Sequence, residues 1–286
     1  MNKGEKPTID IICPLYNAEK YINSLNQSLR KQEKVNINNI YYILTESDDN
    51  TENILKENKI NYAKITKEKF SHSLTREKQA LKCSSDIIVF ISQDVIIDDN
   101  LWLNKLTSPI VNNEAEATYS KQLTKYNNIE KYVREFNYPN KSIIKTKKDI
   151  NKLGIKTFFF SDVASAVKKD IFIKLNGYDN KDLPTNEDMY FAHKLINNGY
   201  KIKYCSESYI YHSHKFTLKE LYKRYKLTGM FFKENNYLYK YKATSSGSKM
   251  AKYIFKRLIQ EHRFILLLRY PFDMAARLIG MKVGEK

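Results

Sequence analysis

The stretch Ile9-Asp10-Ile11-Ile12-Cys13-Pro14-Leu15-Tyr16-Asn17 sets the pattern for the chain. An apolar run, Ile9–Cys13, is stopped by proline and gives way at once to polar residues. The same order recurs downstream. Ile40–Thr45, a weaker Tyr62–Ile65 and Asp86–Ser92 read as further short strands rich in β-branched and aromatic residues. Between them Ala18–Lys31, Glu52–Asn58 and Leu74–Lys82 carry helix-compatible spacing. This alternation predicts an α/β fold, a mostly parallel central sheet flanked by helices. Such sheets bind ligands beyond the carboxyl ends of their strands, so the loops after the strands are where chemistry is expected.

Three loops fit that expectation: Pro14-Leu15-Tyr16-Asn17, Glu46-Ser47-Asp48-Asp49-Asn50 and Gln93-Asp94. Each taken singly is also an ordinary set of turn and cap residues. Three in register favour a site. Further along, Ala115–Gln122 is strand-like, 127–136 is helix-compatible and Thr157-Phe158-Phe159-Phe160 is an aromatic run. Ser161–Lys168 alternates weakly, and a helix is expected from Glu187 to Asn197, ended by Asn198-Gly199. Two short strands, Lys201–Tyr204 and Ser208–Tyr211, lead into His212-Ser213-His214. Beyond 215 the pattern is helical, with an interruption expected at Ala243–Ser248.

Composition narrows the chemistry. The 286 residues can bury roughly three-quarters of their unfolded surface, so no disulfide or metal staple is needed. Glycine numbers only 8, and no two are spaced as G-x-G or as the ends of G-x-x-x-x-G. That excludes the dinucleotide fingerprint and the P-loop, so a phosphorylated ligand would need a metal or side chains to hold it. The formal charge is +17, of which the segment Lys215–Lys286 carries +12, from 17 Lys and Arg against 5 Asp and Glu. A negatively charged partner is expected there, with nucleic acid or an anionic membrane surface as the two classes. Three scattered cysteines form no C-x-x-C pair and suit a reducing compartment. The N-terminal residues contain no apolar signal region, and the uncharged run Phe264–Leu268 is too short to span a bilayer. A cytoplasmic protein is expected.

Four constellations could carry chemistry. Asp94, emerging from a hydrophobic strand, could hold a hard divalent cation, or could be a turn residue beside the cap-like Asp98-Asp99. Thr185-Asn186-Glu187-Asp188 reads equally as a capping box and as a carboxylate general base at a helix start. His212 and His214 alternate on an extended chain and so face one way, toward a common metal or phosphate or toward solvent. Arg76 lies early in its helix, against the dipole, which reads equally as a sign of an anionic or carbonyl partner and as a solvated surface arginine.

In this order, Ile9–Asn17, the acidic loop 45–51, Arg76, Gln93-Asp94, Glu187-Asp188 and His212 resemble the family 2 glycosyltransferases. Phe70–Arg76, Ser92-Gln93-Asp94, Phe136-Asn137-Tyr138-Pro139, Thr157–Ser161 and Tyr211–His214 look most like the bacterial rhamnosyltransferases of surface-polysaccharide synthesis. The resemblance covers roughly residues 7 to 235. It implies a GT-A domain over 1–214 followed by a basic helical extension over 215–286. Pro14, Tyr16, Asn17, Glu46, Asp48, Arg76, Gln93 and Asp94 would line the nucleotide-sugar site. Asp94 would hold Mg²⁺ or Mn²⁺, with His212 and His214 as further metal ligands, and Asp188, beside Glu187, would be the catalytic base. Two positions depart from the family pattern. The first acid of its D-x-D element is Ser92, and the usual aspartate ending the second strand appears as Leu44 or Thr45.

The implied reaction is a single displacement with inversion, from a nucleoside-diphosphate sugar to a glycan or lipid-linked acceptor. dTDP-rhamnose is the expected donor and a UDP-sugar the alternative. In the C-terminal segment Ile254, Leu258 and Ile265 recur at helical intervals among Lys252, Lys256, Arg257 and Arg263. Such a helix could lie on an anionic membrane from the cytosolic side, or pack on the domain or a second subunit. A non-enzymatic polyanion-binding module is a rival reading. No nucleic-acid motif appears, so no nucleic acid is expected as partner.

Overall fold

A computed structural model describes residues 6–241 and 244–286. Eight strands form one sheet: β1 (Thr8–Leu15), β2 (Asn36–Thr45), β3 (Tyr62–Ile65), β4 (Ile87–Ile91), β5 (Ala117–Leu123), β6 (Ile143–Lys145), β7 (Ala164–Lys168) and β8 (Ile202–Tyr211). Their order is β3-β2-β1-β4-β7-β5-β8-β6. The first four are mutually parallel, and β5 pairs parallel with β8. β7 runs antiparallel between β4 and β5, and β6 antiparallel on the edge beside β8. The mostly parallel sheet is as expected; the reversed β7 is not foreseen by a strand-then-helix reading.

The sheet is buried on both faces. Ile9, Ile11, Cys13 and Leu15 of β1 point to one side, where Ile22, Leu25 and Leu29 of the helix Ile22–Arg30 and Trp102, Leu103, Leu106 and Ile110 of Trp102–Val111 cover them. Those spacings of three and four put each helix's apolar residues on one stripe. Ile12, Ile88 and Phe90 point to the other side, onto Phe172, Tyr178, Phe191, Leu195 and Ile196. The run Ile9–Cys13 is interrupted by Asp10, which is fully buried and still satisfied: its carboxylate accepts from the N–H of Ser84 (3.1 Å) and Ser85 (3.2 Å) and from Asn38 Nδ2 (3.0 Å). This ties the turn before β4 to β1 and β2.

Several boundaries differ from the sequence reading. The first helix begins at Ile22, four residues later than expected, because Ala18 and Tyr21 form a turn. Lys201–Tyr204 and Ser208–Tyr211 belong to one strand, β8, split by a bulge where Ser120 pairs with Cys205 but Lys121 with Tyr209. The expected break at 243–248 is helical from Thr244, where Thr244–Gln260 begins, and Ala243 lies outside the described residues.

The C-terminal helices join the body. Phe231 and Phe232 of Leu218–Glu234, with Leu238 and Tyr241, pack into the core beneath the sheet. Helix Phe264–Glu285 crosses Leu218–Glu234 at backbone contact: a methyl group at Gly229, Gly280 or Gly284 would collide with the opposite helix's backbone. Ile129 and Tyr132 of Ile129–Asn137 pack with Ile254, Leu258 and Tyr270 of the last two helices.

Candidate active site

Parallel strands β1, β2, β4, β5 and β8 deliver their carboxyl ends to one edge of the sheet, and two connected cavities open there. The first, of about 500 Å³, is lined by Pro14, Leu15, Tyr16, Thr45, Lys67, Phe70, His72, Arg76, Ser92, Gln93 and Asp94. The second, a cleft of about 670 Å³, shares His72, Arg76, Ser92 and Asp94 with it and reaches Asp162, Glu187, Asp188, His212, His214, Arg224 and Arg277.

Of the residues expected at the nucleotide site, Pro14, Tyr16, Arg76, Gln93 and Asp94 line the first cavity. Asn17, Glu46 and Asp48 stand outside its wall. Asn17, in the left-handed region at φ 47°, latches the β1 and β2 loops together: its N–H donates to Ser47 Oγ (3.0 Å) and its Oδ1 accepts from the Asp48 N–H (3.0 Å). Asp48 pairs with Lys67 (2.8 Å), which itself lines the cavity and lies over the Tyr16 ring. Glu46 is exposed, and its N–H donates to Ile65 O. The Gln93 amide clamps the Tyr16 backbone on both sides, accepting from its N–H (2.7 Å) and donating to its carbonyl (2.8 Å).

At the end of β2, Leu44 is core and Thr45 faces the cavity. Thr45 Oγ1 is buried and has no hydrogen-bond partner among the described residues. An orphaned buried hydroxyl beside a cavity is a group waiting for a ligand atom, since leaving it unpaired costs about 1–3 kcal/mol.

Asp94 meets the two histidines because the chain after β4 is zipped to the end of β8, with Ile96 and Tyr211 exchanging backbone hydrogen bonds of 2.8 and 2.9 Å. Asp94 Oδ2 lies 3.4 Å from His212 Nε2 and 3.8 Å from His214 Nε2, and the two Nε2 atoms are 2.8 Å apart. Gln122 orients the inner ring. Its amide nitrogen donates to Ser161 Oγ (2.8 Å), which turns its Oε1 toward His212 Nδ1 (3.1 Å) and Arg134. Gln122 Oε1 and Arg134 Nη2 both meet His212 Nδ1 at 3.1 Å, which leaves the Nε2 edge of the ring facing Asp94 and His214. Burial and the neighbouring His212 push His214 down to about 4, so its ring is neutral and able to ligate. Burial raises the Asp94 carboxyl and the hydrogen bond with His212 lowers it, with the net direction downward. Two neutral imidazoles and a carboxylate converging within 4.8 Å fit a divalent cation.

On the opposite wall, the helix Glu187–Asn197 opens with the two acids. The capping-box reading of Thr185 and Asp188 is not what forms: Asn186 occupies the cap position at φ 60° with no side-chain cap, and Thr185 Oγ1 bonds Asn186 Oδ1. Both acids are left for the cleft. Asp188 accepts from the N–H of Met189 (2.7 Å). Its pKa is pushed well above the ordinary carboxylate range by burial first, then by Glu187 and Asp162. Arg76 has both partners its position implies, donating to the His72 carbonyl (2.8 Å) and contacting Glu187 Oε1 (3.4 Å). The helix His72–Ala80 holds it there through the 178–183 loop: Glu77 accepts from the N–H of Tyr178 (2.6 Å) and Asn180 (3.1 Å), and Ser73 Oγ bridges Lys181 O and the Leu183 N–H. Gly177, at φ +40°, admits this contact, since a side chain there would strike Glu77 and Phe172.

A scan against family models matches residues 10–175 to "Glycosyl transferase family 2". The chain belongs to that family. Two curated relatives are 30% identical over nearly the whole chain: the O-antigen chain rhamnosyltransferases WbaN of Salmonella anatum (98% of this chain, 90% of the relative) and RfbN of Salmonella typhimurium (97% and 89%). Among solved structures, the fold is similar to the mannosyltransferase PcManGT of Pyrobaculum calidifontis in complex with GDP-Man and Mn²⁺ (TM-score 0.65, 12% identity, 99% of this chain and 88% of that one). It is also similar to TarS of S. aureus in complex with UDP-GlcNAc (TM-score 0.55, 14% identity, 97% and 90%). The fold is therefore GT-A, and the protein is a family 2 glycosyltransferase whose relatives act in O-antigen synthesis.

Within this glycosyltransferase the sequence reading missed Asp162, Thr45 as a cavity residue, and the basic wall of Arg134, Arg224 and Arg277. Asp162 precedes a strand, whereas the expected loop residues follow one. Because β7 is antiparallel, its amino end shares the edge where the parallel strands end. No local signal marks Arg277, which reaches the cleft from the last helix, paired with Glu130 and donating to Tyr225 OH (2.7 Å).

Proposed function

We propose that this glycosyltransferase moves L-rhamnose from dTDP-rhamnose to a hydroxyl of a glycan or lipid-linked acceptor, with inversion at the anomeric carbon. The observation carrying this reading is that one cleft holds the Asp94–His212–His214 group on one wall and a buried carboxylate, Asp188, on the other. The nucleotide would occupy the first cavity, between Tyr16 and Phe70, with its base toward the Thr45 hydroxyl. Arg76 and Asp94, common to both cavities, would mark where the diphosphate passes into the cleft.

Asp94, His212 and His214 would hold the cation, and Mn²⁺ suits two imidazoles better than Mg²⁺, whose demand is for oxygen ligands. Held there by these three side chains, a divalent cation would supply positive charge to offset what develops on the leaving diphosphate. Asp188 takes the proton of the acceptor hydroxyl as that oxygen attacks the face opposite the nucleotide. Its elevated proton affinity makes it a stronger base than an exposed aspartate. Phe159, Phe160 and Leu221 supply apolar lining to this cleft.

The decisive experiment is donor binding and turnover across sugar nucleotides, with and without Mn²⁺ or Mg²⁺, for wild type and Asp188→Asn. Metal-dependent selection of dTDP-rhamnose, with turnover in the variant lowered about 10²–10⁴-fold and donor affinity retained, supports the assignment. Selection of a UDP-sugar would keep the mechanism and discard rhamnose. No donor binding at all would sink both.

A peripheral place at the inner face of the cell membrane belongs to the same reading. It is supported by the helix Phe264–Glu285, where Phe264, Ile265, Leu268, Phe272 and Ile279 stand exposed, Ile265 at 84% and Leu268 at 76%. Exposed Lys252, Lys256 and Phe255 of the preceding helix lie in the same terminal hairpin. Among the described residues no helix is long and apolar enough to cross a membrane.

A further inference from the structure

Donor, cation and base leave a further cavity unused. It measures about 480 Å³ and lies between the segment 125–130 and the first turns of the helices Leu218–Glu234 and Phe264–Glu285. Ile129, Phe216, Leu221 and Leu266, buried or half-buried, give it an apolar lining. Lys125, Lys215 and Arg269, all exposed, give it a basic one. Glu130, Phe216 and Leu221 line the catalytic cleft as well, so the two spaces are neighbours.

The acids of this wall are already paired. Glu130 is bonded to Arg277, and Asp273 to Arg269 (3.0 Å), which also donates to the Phe216 carbonyl (2.6 Å). That leaves the two lysines. Lys215 has no acidic partner among the described residues and lies 4.4 Å from the centre of the Tyr126 ring. Lys125 lies 4.8 Å from the centre of the Tyr211 ring and 3.9 Å from Asp98, an exposed pair of the kind that contributes little. Two ammonium groups beside an apolar lining suit an anion with an apolar body. Asn128 Oδ1, in the same lining, is buried without a partner among the described residues, and a hydroxyl on that ligand would satisfy it.

The surroundings name the anion. Arg269 follows Ile265 by four residues and precedes Phe272 by three, so the three are neighbours on the helix surface and the cavity borders the exposed stripe. An apolar stripe with a basic cavity along its edge matches the acyl chains and phosphate of a membrane lipid. We propose that this cavity seats the headgroup of an anionic phospholipid bearing hydroxyls, of the phosphatidylglycerol type, with its phosphate held by Lys125 and Lys215 and its chains beside Ile265, Leu268 and Phe272. This rests on the reading of the protein as peripheral to the membrane. A headgroup seated there sets the neighbouring cleft at the bilayer surface, where a lipid-linked acceptor presents its glycan.

The test is calorimetric titration of the full chain with dihexanoyl phosphatidylglycerol below its micelle concentration, so that no membrane surface potential enters. The wild type binds it saturably, and Lys125→Gln with Lys215→Gln weakens binding about tenfold or more. Lys252→Gln with Lys256→Gln, which removes the same charge from exposed positions of the preceding helix, leaves it unchanged. Equal losses in the two pairs, or none in either, overturn the proposal. Inorganic phosphate that binds as tightly as the lipid overturns it too, since the site would then take free phosphate. Cosedimentation with vesicles of phosphatidylcholine and phosphatidylglycerol separates the two readings. A wild type that ignores these vesicles sinks the membrane reading and the headgroup site with it. A wild type that sediments, but whose Lys125 and Lys215 variant keeps full affinity for the soluble lipid, sinks only the headgroup site.

Discussion

At the scale of single residues, the site is made by side chains that the fold leaves without work. Thr45 is the plainest case, a buried hydroxyl facing a cavity with nothing to bond. Thr45→Val keeps the shape and removes the hydroxyl. Donor KM is expected to rise about fivefold to tenfold with kcat little changed, since the bond is made equally in ground and transition states; steady-state kinetics at saturating acceptor would show it. Much of the cleft was readable at this scale. Asp94, Glu187, Asp188 and His212 each follow a strand or open a helix, and the structure brings them to one cleft. Asn17 and Gln93 show the limit of such reading. Polar loop residues can serve by tying backbone to backbone, and the residue type is the same whether the amide meets a ligand or a neighbouring chain.

At the scale of elements, alternating strands and helices declared the parallel part of the sheet, and Tyr62–Ile65 and Glu187–Asn197 fall where the pattern puts them. β7 could not be placed this way, because strand direction is set by tertiary pairing and leaves no mark on a five-residue run. With that direction hidden, Asp162 was hidden too. The crossing of Leu218–Glu234 over Phe264–Glu285 was equally silent. In the sequence Gly280 and Gly284 are two isolated glycines, whereas in the structure they and Gly229 are where two backbones touch. Gly284→Ala should lower stability by about 1–3 kcal/mol, the range expected when a packed contact must open. Urea unfolding would read it, and an unchanged midpoint would mean the helices separate freely.

At the scale of the molecule, the cleft and the terminal hairpin belong to one body, since Arg277 of the last helix lines the cleft. Arg277 and Tyr270 of the last helix are buried while Ile265, Leu268 and Phe272 on the same helix face outward. Deleting the hairpin would confound attachment with loss of the cleft wall, so point changes are the better probe. Leu268→Glu with Phe272→Glu is expected to reduce cosedimentation with anionic vesicles at least about tenfold while donor turnover in solution persists, as each lost apolar side chain and added charge disfavours the interface. Retained cosedimentation would show that this stripe is not the contact. The pairing of Arg277 with Glu130 has one more consequence, for the order of events at the ribosome. The chain emits Asp94 long before the helix that walls its cleft, by roughly ten to forty seconds at ordinary elongation rates of about 5–20 residues per second. Through that interval a nascent chain carries Pro14, Tyr16, Gln93 and Asp94 of the first cavity but lacks the part of the cleft wall that Arg277 supplies.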